Sequence, residues 1–163
     1  KSLSAGYLPI SATVVRDAIY ETFSDTPVDH SFYHGHTFCG NPIAAAAALA
    51  ALDVYEKIDI AAQARRIEKV FHEKLAPLAQ RPCVKELRIL GAVAAVELQG
   101  EVTANAAAME DGMPATQAIR RRMLDAGILI RPLGNVIYLM PPLTIPDDDL
   151  SRLCDALIRA VAG

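Results

Sequence analysis

The sequence carries no excess of either charge. Sixteen lysines and arginines stand against 19 aspartates and glutamates, a formal net charge of −3 over 163 residues. Without a basic face it has no electrostatic footprint for nucleic acid. Its three cysteines, Cys39, Cys83 and Cys154, are too few and too scattered for a disulfide framework or a zinc ladder. A reducing, cytoplasmic setting is therefore expected, with the thiols as buried, weakly reactive packing residues. No apolar run is long enough for a membrane: residues 43–52 fall well short of the roughly 20 that a bilayer requires. That run also lies far from the first residue without a basic region before it, so the run itself does not read as a signal peptide. There is no internal repeat and no low-complexity tail. The chain opens on Lys1 rather than methionine, already in patterned sequence, and is expected to be the remainder of something longer. Its length allows one ordinary domain, or a small domain with part of a larger one.

What is present is patterning. Residues 8–15 (LPISATVV) predict a short apolar strand, and 14–23 (VVRDAIYETF) a weak helix with Val14, Ile19 and Phe23 roughly on one side. Residues 24–40 are dense in Ser, Asp, Pro, Gly and His and predict a long loop, a length that is often functional inside a compact chain. Asn41-Pro42 predicts a helix start, because Asn favours the N-cap and Pro the first helical position. That helix should run over about 42–57, and a second, amphipathic one over about 60–78, in a region closed by Pro77 and Pro82. Residues 84–98 predict two extended runs about Gly91, 102–114 a loop, and 116–126 a helix stopped by Gly127. Residues 128–132 and 135–142 predict two strands joined as a hairpin-like pair by Leu133-Gly134. Pro146 and three aspartates open a last helix, whose Leu150, Leu153, Leu157 and Val161 form one apolar stripe. Such mixing predicts an α/β or α+β chain, with 59–163 a compact small domain and 1–58 the edge of a different one.

Four places could carry chemistry. His30, His34 and His36 with Asp29 could supply a metal's inner ligands, although no second cluster of His, Cys or acids completes a geometry. The alternative is a His-rich loop whose imidazoles only make hydrogen bonds. Thr37, Gly40 and Asn41 stand just before a helix N-terminus, where free N–H groups and the helix dipole suit an anion; simple capping by Asn41 is the other reading. Arg131 ends the apolar run GILIRP, and Pro132 keeps it extended. Its guanidinium suits planar two-point recognition of a carboxylate, or is a surface arginine at a strand end. Arg120, Arg121 and Arg122 read as a solvated helix face. Lys1 alone says almost nothing.

Taken in order, longer blocks carry a resemblance. KSLSAGYLPISA at 1–12 resembles the K-x-L-(x)-G-G-x-x-P-(L/I)-(S/G)-A segment of class III, fold type I pyridoxal-phosphate aminotransferases, and HGHTFCGNPIAAAAALAAL at 34–52 resembles their H-G-x-T-F-x-G-N-P segment. RILGAVAAVEL at 88–98 resembles the small-domain strands of the same family. Within it, IRPLGNVIYLMPPL at 130–143 and FYHGHTF at 32–38 resemble the branch that aminates 8-amino-7-oxononanoate in biotin biosynthesis.

The resemblance implies the C-terminal part of a fold type I transferase, α/β in class: 1–58 from the large cofactor-binding domain and 59–163 the small α+β domain. It implies pyridoxal 5'-phosphate as cofactor and a cytoplasmic homodimer with shared active sites. Its small-molecule substrates would be an amino donor and 8-amino-7-oxononanoate, with no nucleic acid or membrane partner. Lys1 matches the Schiff-base lysine, which also shuttles a proton as general base and acid; an ordinary lysine, with a pKa near 10.4, must be held neutral for that. Thr37 matches the threonine that reaches the cofactor phosphate of the neighbouring subunit, with Gly35 and His36 lining the substrate side of that loop. Arg131 matches the arginine that holds the substrate carboxylate. Tyr138 is a substrate-pocket candidate, with core packing as its alternative. Many members have proline where His36 stands, so S-adenosylmethionine, the usual donor, and lysine both remain open. The family's pyridine-nitrogen acid, ring-stacking aromatic and main phosphate loop all lie upstream of the lysine, so the chain is expected to be part of a whole enzyme. Other readings stay open: a class III transaminase for an ω-amino acid or amine, a metal-dependent hydrolase using the His-rich loop, and a non-catalytic assembly piece.

Overall fold

The computed structural model describes residues 1–24, 31–99, 109–110 and 113–162. They fall into two compact units, Lys1–Ile58 and Asp59–Gly163. In the first unit a short 3-10 helix, Ser2–Ser4, precedes α1 (Asp17–Ser24) and α2 (Pro42–Ile58). Asn41 starts α2 as its sequence demands: its Oδ1 accepts from the Ile43 N–H at 3.1 Å, and its carbonyl accepts from Ala45 at 3.1 Å. The alanine run then makes a stripe, Ala44, Ala48 and Ala51, which is buried. The Ser2–Ser4 helix packs on α2, and methyl side chains let the two backbones approach closely. Residues 8–15, expected as a strand, form no ladder, and 11–15 lie exposed. Among the described residues no strand pairs with them, and only Leu8 and Ile10 of the stretch are partly buried. The helix predicted over 14–23 is realised only from Asp17, an acid suited to the first turn.

In the second unit α3 (Ile60–Leu75) starts on Asp59. That residue adopts a left-handed φ of 46° and accepts from the Ala62 N–H at 3.0 Å. A 3-10 turn, Ala76–Gln80, leads to the antiparallel hairpin of β1 (Val84–Leu90) and β2 (Val93–Leu98). The hairpin turns at Gly91 with φ 53°, a conformation that costs glycine nothing, and the Gly91 N–H donates to Glu68 Oε1 on α3 at 3.1 Å. A two-residue hairpin follows, β3 (Met109–Glu110) with β4 (Met113–Pro114), inside the stretch expected as loop; 100–108 and 111–112 lie outside the described residues. Then come α4 (Ala115–Asp125), β5 (Val136–Leu139) and α5 (Asp147–Ala162). β5 pairs antiparallel with the far edge of β2, so the sheet order is β1-β2-β5.

Strand alternation decides which side chains go inward. Ala94, Val96 and Leu98 of β2 and Ile137 and Leu139 of β5 join Ile67, Phe71 and Leu75 of α3, Met123 of α4, and Leu150, Cys154 and Leu157 of α5 in one core. Each large apolar side chain so buried contributes about 1.5–3 kcal/mol of transfer free energy. The opposite face carries Arg88, Ala95 and Tyr138 across one row of the register and Glu97 beside Val136 in the next.

Two expectations are corrected here. Residues 128–132 do not form a strand. After α4 stops, Gly127 takes φ 77° and Ile128 N–H donates back to Met123 at 2.8 Å; Ile130 then turns inward and Pro132 has no N–H to give. Leu133 and Val136 exchange bonds at 2.8 and 3.0 Å, so the intended hairpin is a single rung. The arginine row 120–122 is not wholly a solvated face, because Arg122 Nη1 donates to the Ala160 carbonyl at 2.8 Å. A cation there complements the negative C-terminal end of α5.

Candidate active site

Lys1 is exposed, and the backbone that carries it is tied down. Its carbonyl accepts from the Gly6 N–H at 2.9 Å, while Ala5 and Gly6 take φ of 53° and 85° to close the turn. Ser4 is buried; its hydroxyl donates to the Leu8 carbonyl at 2.5 Å and accepts from the Leu8 N–H at 3.3 Å. Tyr55, on α2, donates its hydroxyl to the Ser2 carbonyl at 2.7 Å. The alanine stripe and this bond fix the Lys1 turn against a helix and leave its ammonium projecting. Among the described residues that ammonium has no ion pair or hydrogen bond.

Gly35, His36 and Thr37 lie on the exposed loop that ends in the turn Thr37–Gly40, immediately before α2. The loop folds on itself: the His36 N–H points to Cys39 Sγ at 3.2 Å, the Cys39 N–H donates to the His36 carbonyl at 2.9 Å, and the Phe38 N–H donates to His36 Nδ1 at 3.2 Å. An Nδ1 that accepts leaves the proton of a neutral imidazole on Nε2. Gly40 closes the turn at φ 71°. Phe32 stacks edge-on between Phe23 of α1 and His34, each at 5.8 Å. Among the described residues no three His, Cys, Asp or Glu gather as metal ligands, and His30 and Asp29 lie outside them. The thiols also depart from expectation. Only Cys154 is buried, its pKa pushed up to about 11 chiefly by desolvation; Cys39 and Cys83 sit on a loop and at a strand entry, where no packed element covers them.

Arg131 and Tyr138 belong to the second unit, and there the fold brings them together. Both line a groove of about 580 Å³ whose walls include Ile130, Met140, Pro141 and Ile145. Arg131 is exposed. Tyr138 is half-buried on the sheet face opposite Ile137 and Leu139, so it is not a core residue. Asp149 and Arg152 of α5, 4.0 Å apart, stand at the same groove. The wall segment 140–146 was missed in the sequence. Its signal was there: three prolines in MPPLTIP remove N–H groups and leave carbonyls that need outside donors.

Beside Tyr138 on that face, Glu97 accepts from Lys85 Nζ at 2.6 Å and from Arg88 Nη1 at 2.7 Å, and Arg88 also pairs with Glu86. The Lys85 bond first, then the Arg88 bond, hold the Glu97 carboxyl down at about 2, against an ordinary 4.5. Glu97, and then Glu86, raise Arg88 in turn. A depressed carboxyl stabilises the folded state above its unfolded value, and that contribution is lost as pH falls through its folded value. Thermal melts by circular dichroism should therefore fall steeply between pH 4.5 and about 2 in the wild type. They should fall less over the same window in Glu97→Gln; equal slopes would mean that the triad does not couple to folding.

Among the described residues no helix is long and apolar enough to cross a membrane. Comparison with known proteins gives one consistent result. Residues 1–161 match the family described as aminotransferase class-III. The adenosylmethionine-8-amino-7-oxononanoate aminotransferase of Methanocaldococcus jannaschii is 36% identical over 162 residues, 99% of this chain and 35% of that protein. The crystal structure of the same enzyme superposes with a TM-score of 0.79 at 35% identity, over 98% of this chain and 36% of that one. A PLP-bound amine transaminase from an uncultivated Pseudomonas species gives 0.79 at 34% identity, over 98% and 36%. The chain thus spans about a third of the length of the curated relatives it matches.

Proposed function

The chain belongs to the class-III aminotransferase family, and on that premise we propose that it is the lysine- and arginine-bearing part of a pyridoxal 5'-phosphate-dependent transaminase. Its reaction in this reading is amination of 8-amino-7-oxononanoate to 7,8-diaminononanoate, with S-adenosylmethionine as donor. The observation that carries the reading is the groove: a guanidinium and a phenol set among apolar walls suit a carboxylate on an aliphatic chain. The resemblance of 130–143 and the Methanocaldococcus jannaschii relative support the same substrate.

The residues present fit the cofactor. It offers an aldehyde and a phosphate; the chain offers the Lys1 amine and the Thr37 hydroxyl, neither with a partner among the described residues, the latter just before the positive N-terminus of α2. When bound, the cofactor supplies an electron sink for the developing carbanion. Lys1 Nζ would bind it covalently and then take up and return the substrate proton, its carbonyl held by the Gly6 N–H and the turn that follows braced by Tyr55 on Ser2 and by Ser4 on Leu8, so that the amine is delivered to one place. Thr37 would reach the phosphate of a second copy's cofactor, which makes the enzyme a homodimer in this reading. Arg131 would clamp the carboxylate in two-point fashion, and Gly35 and His36 would face the substrate. The large-domain origin of 1–58, the small-domain role of 59–163 and a cytoplasmic location belong to the same proposal.

The test is a single-turnover assay of the enzyme containing this chain with 8-amino-7-oxononanoate. Arg131→Leu should lower kcat/KM for that acceptor about a hundredfold, the factor that accompanies losing a pair of charge-assisted hydrogen bonds. A second reading, an amine transaminase, is favoured by the Pseudomonas neighbour. It prevails if simple amines are turned over and 8-amino-7-oxononanoate is not.

A further inference from the structure

We propose that Arg66 is a positioning residue for the substrate groove, acting by holding the wall 140–146 against which Arg131 and Tyr138 meet the carboxylate end of the substrate. The inference rests on the functional reading above. Sheet pairing ends at Leu139, and among the described residues no ladder supports the wall beyond it. Pro141, Pro142 and Pro146 offer no N–H, and one turn bond, Ile145 N–H to the Pro142 carbonyl at 3.0 Å, braces the segment from within.

Leu143 and Ile145 pack on the core and the Leu150 N–H donates to the Pro146 carbonyl at 2.9 Å; Arg66, on α3, adds the side-chain bonds from outside. Its Nη2 donates to the Ile145 carbonyl at 2.8 Å and to the Leu143 carbonyl at 3.4 Å. Its Nη1 pairs with Asp147 in the first turn of α5, and its Nε donates to Gln63 at 3.0 Å. One planar fork therefore joins the wall, the start of α5 and α3. A lysine could keep the ion pair, but as a point charge it could not fill the fork. The Arg66 side chain is 30% exposed, so these bonds are only partly screened by water. Arg66 does not line the groove; Met140, Pro141, Pro142 and Ile145 do, with Arg131 and Tyr138. Its influence on substrate passes through the wall.

The experiment uses the pyridoxal-phosphate-loaded enzyme containing this chain, with Arg66→Met, Arg66→Lys and Arg131→Leu. Arg66→Met should raise KM for 8-amino-7-oxononanoate roughly tenfold, the factor set by one charge-assisted hydrogen bond, with kcat and the donor half-reaction little changed. Hydrogen exchange in peptides covering 140–150 should quicken while 84–98 stays protected. Arg66→Lys should fall between wild type and Arg66→Met, and it carries the test if the methionine variant does not accumulate. Unchanged KM with wild-type exchange overturns the proposal, as does a proportional fall in both half-reactions, the mark of a merely structural residue. If Arg131→Leu raises KM and Arg66→Met does not, this inference alone falls. If Arg131→Leu also leaves KM unchanged, the carboxylate reading of the groove falls and takes this inference with it.

Discussion

Lys1→Ala is expected to lower amine transfer by at least about 10³-fold, because a residue proposed as both nucleophile and proton carrier takes both contributions with it. Lys1→Arg should fail as badly, since a guanidinium stays protonated and can neither attack an aldehyde nor accept a proton at neutral pH. A readout independent of turnover accompanies this. Borohydride treatment of the cofactor-loaded enzyme should leave the cofactor covalently on the peptide that contains Lys1, and on none in the variant. The turn itself should survive, because its bonds come from the backbone of Lys1 and from Ser4, Gly6 and Tyr55 rather than from the ammonium. Activity near wild type in Lys1→Ala would remove the proposed chemistry altogether.

Phe71→Ala should destabilise the second unit by about 3–5 kcal/mol, the range for deleting a buried aromatic ring and leaving a cavity. Phe71 is 0% exposed and sits on the inner face of α3 between Ile67 and Leu75, in the cluster shared with β2, β5 and α5. Against a typical total of about 5–15 kcal/mol, that loss takes much of the margin. Phe71→Leu, which refills most of the volume, should cost well under half as much. Urea unfolding monitored by far-ultraviolet circular dichroism distinguishes them. Equal midpoints for the two variants would show that the site collapses around the missing ring.

Helix boundaries were legible wherever a residue type had a local physical reason to be there. Asn41-Pro42 announced α2 because one side chain caps and the next has no N–H to lose, and the acids 147–149 announced α5. Gly91 and Gly127 marked turns because both take positive φ. Failures came where a pattern needed a partner from elsewhere. Among the described residues, 8–15 find no partner strand, and 128–132 turn Ile130 into the core without entering a ladder. The site was legible in the same uneven way. Arg131 and Tyr138 were separate candidates seven residues apart until the Leu133–Val136 turn set them at one groove. Arg66 left no trace, because its role consists of contacts with carbonyls about 80 positions away.

The sheet order carries a consequence for how the second unit assembles. β1 and β2 meet across a turn that sets Leu90 opposite Val93, whereas β2 reaches β5 through Glu97 opposite Val136, 39 positions apart (136 − 97). Closing the short loop costs little chain entropy and the long one more, so the hairpin can form first and β5 joins it late. Leu150, Cys154 and Leu157, which cover the apolar face, come on the element after β5. During synthesis the part of that face that α5 covers, beyond what α3 and α4 already shield, is therefore wet until α5 leaves the ribosome. The interval between the two events is when a nascent chain of this kind is most exposed to aggregation and to chaperones.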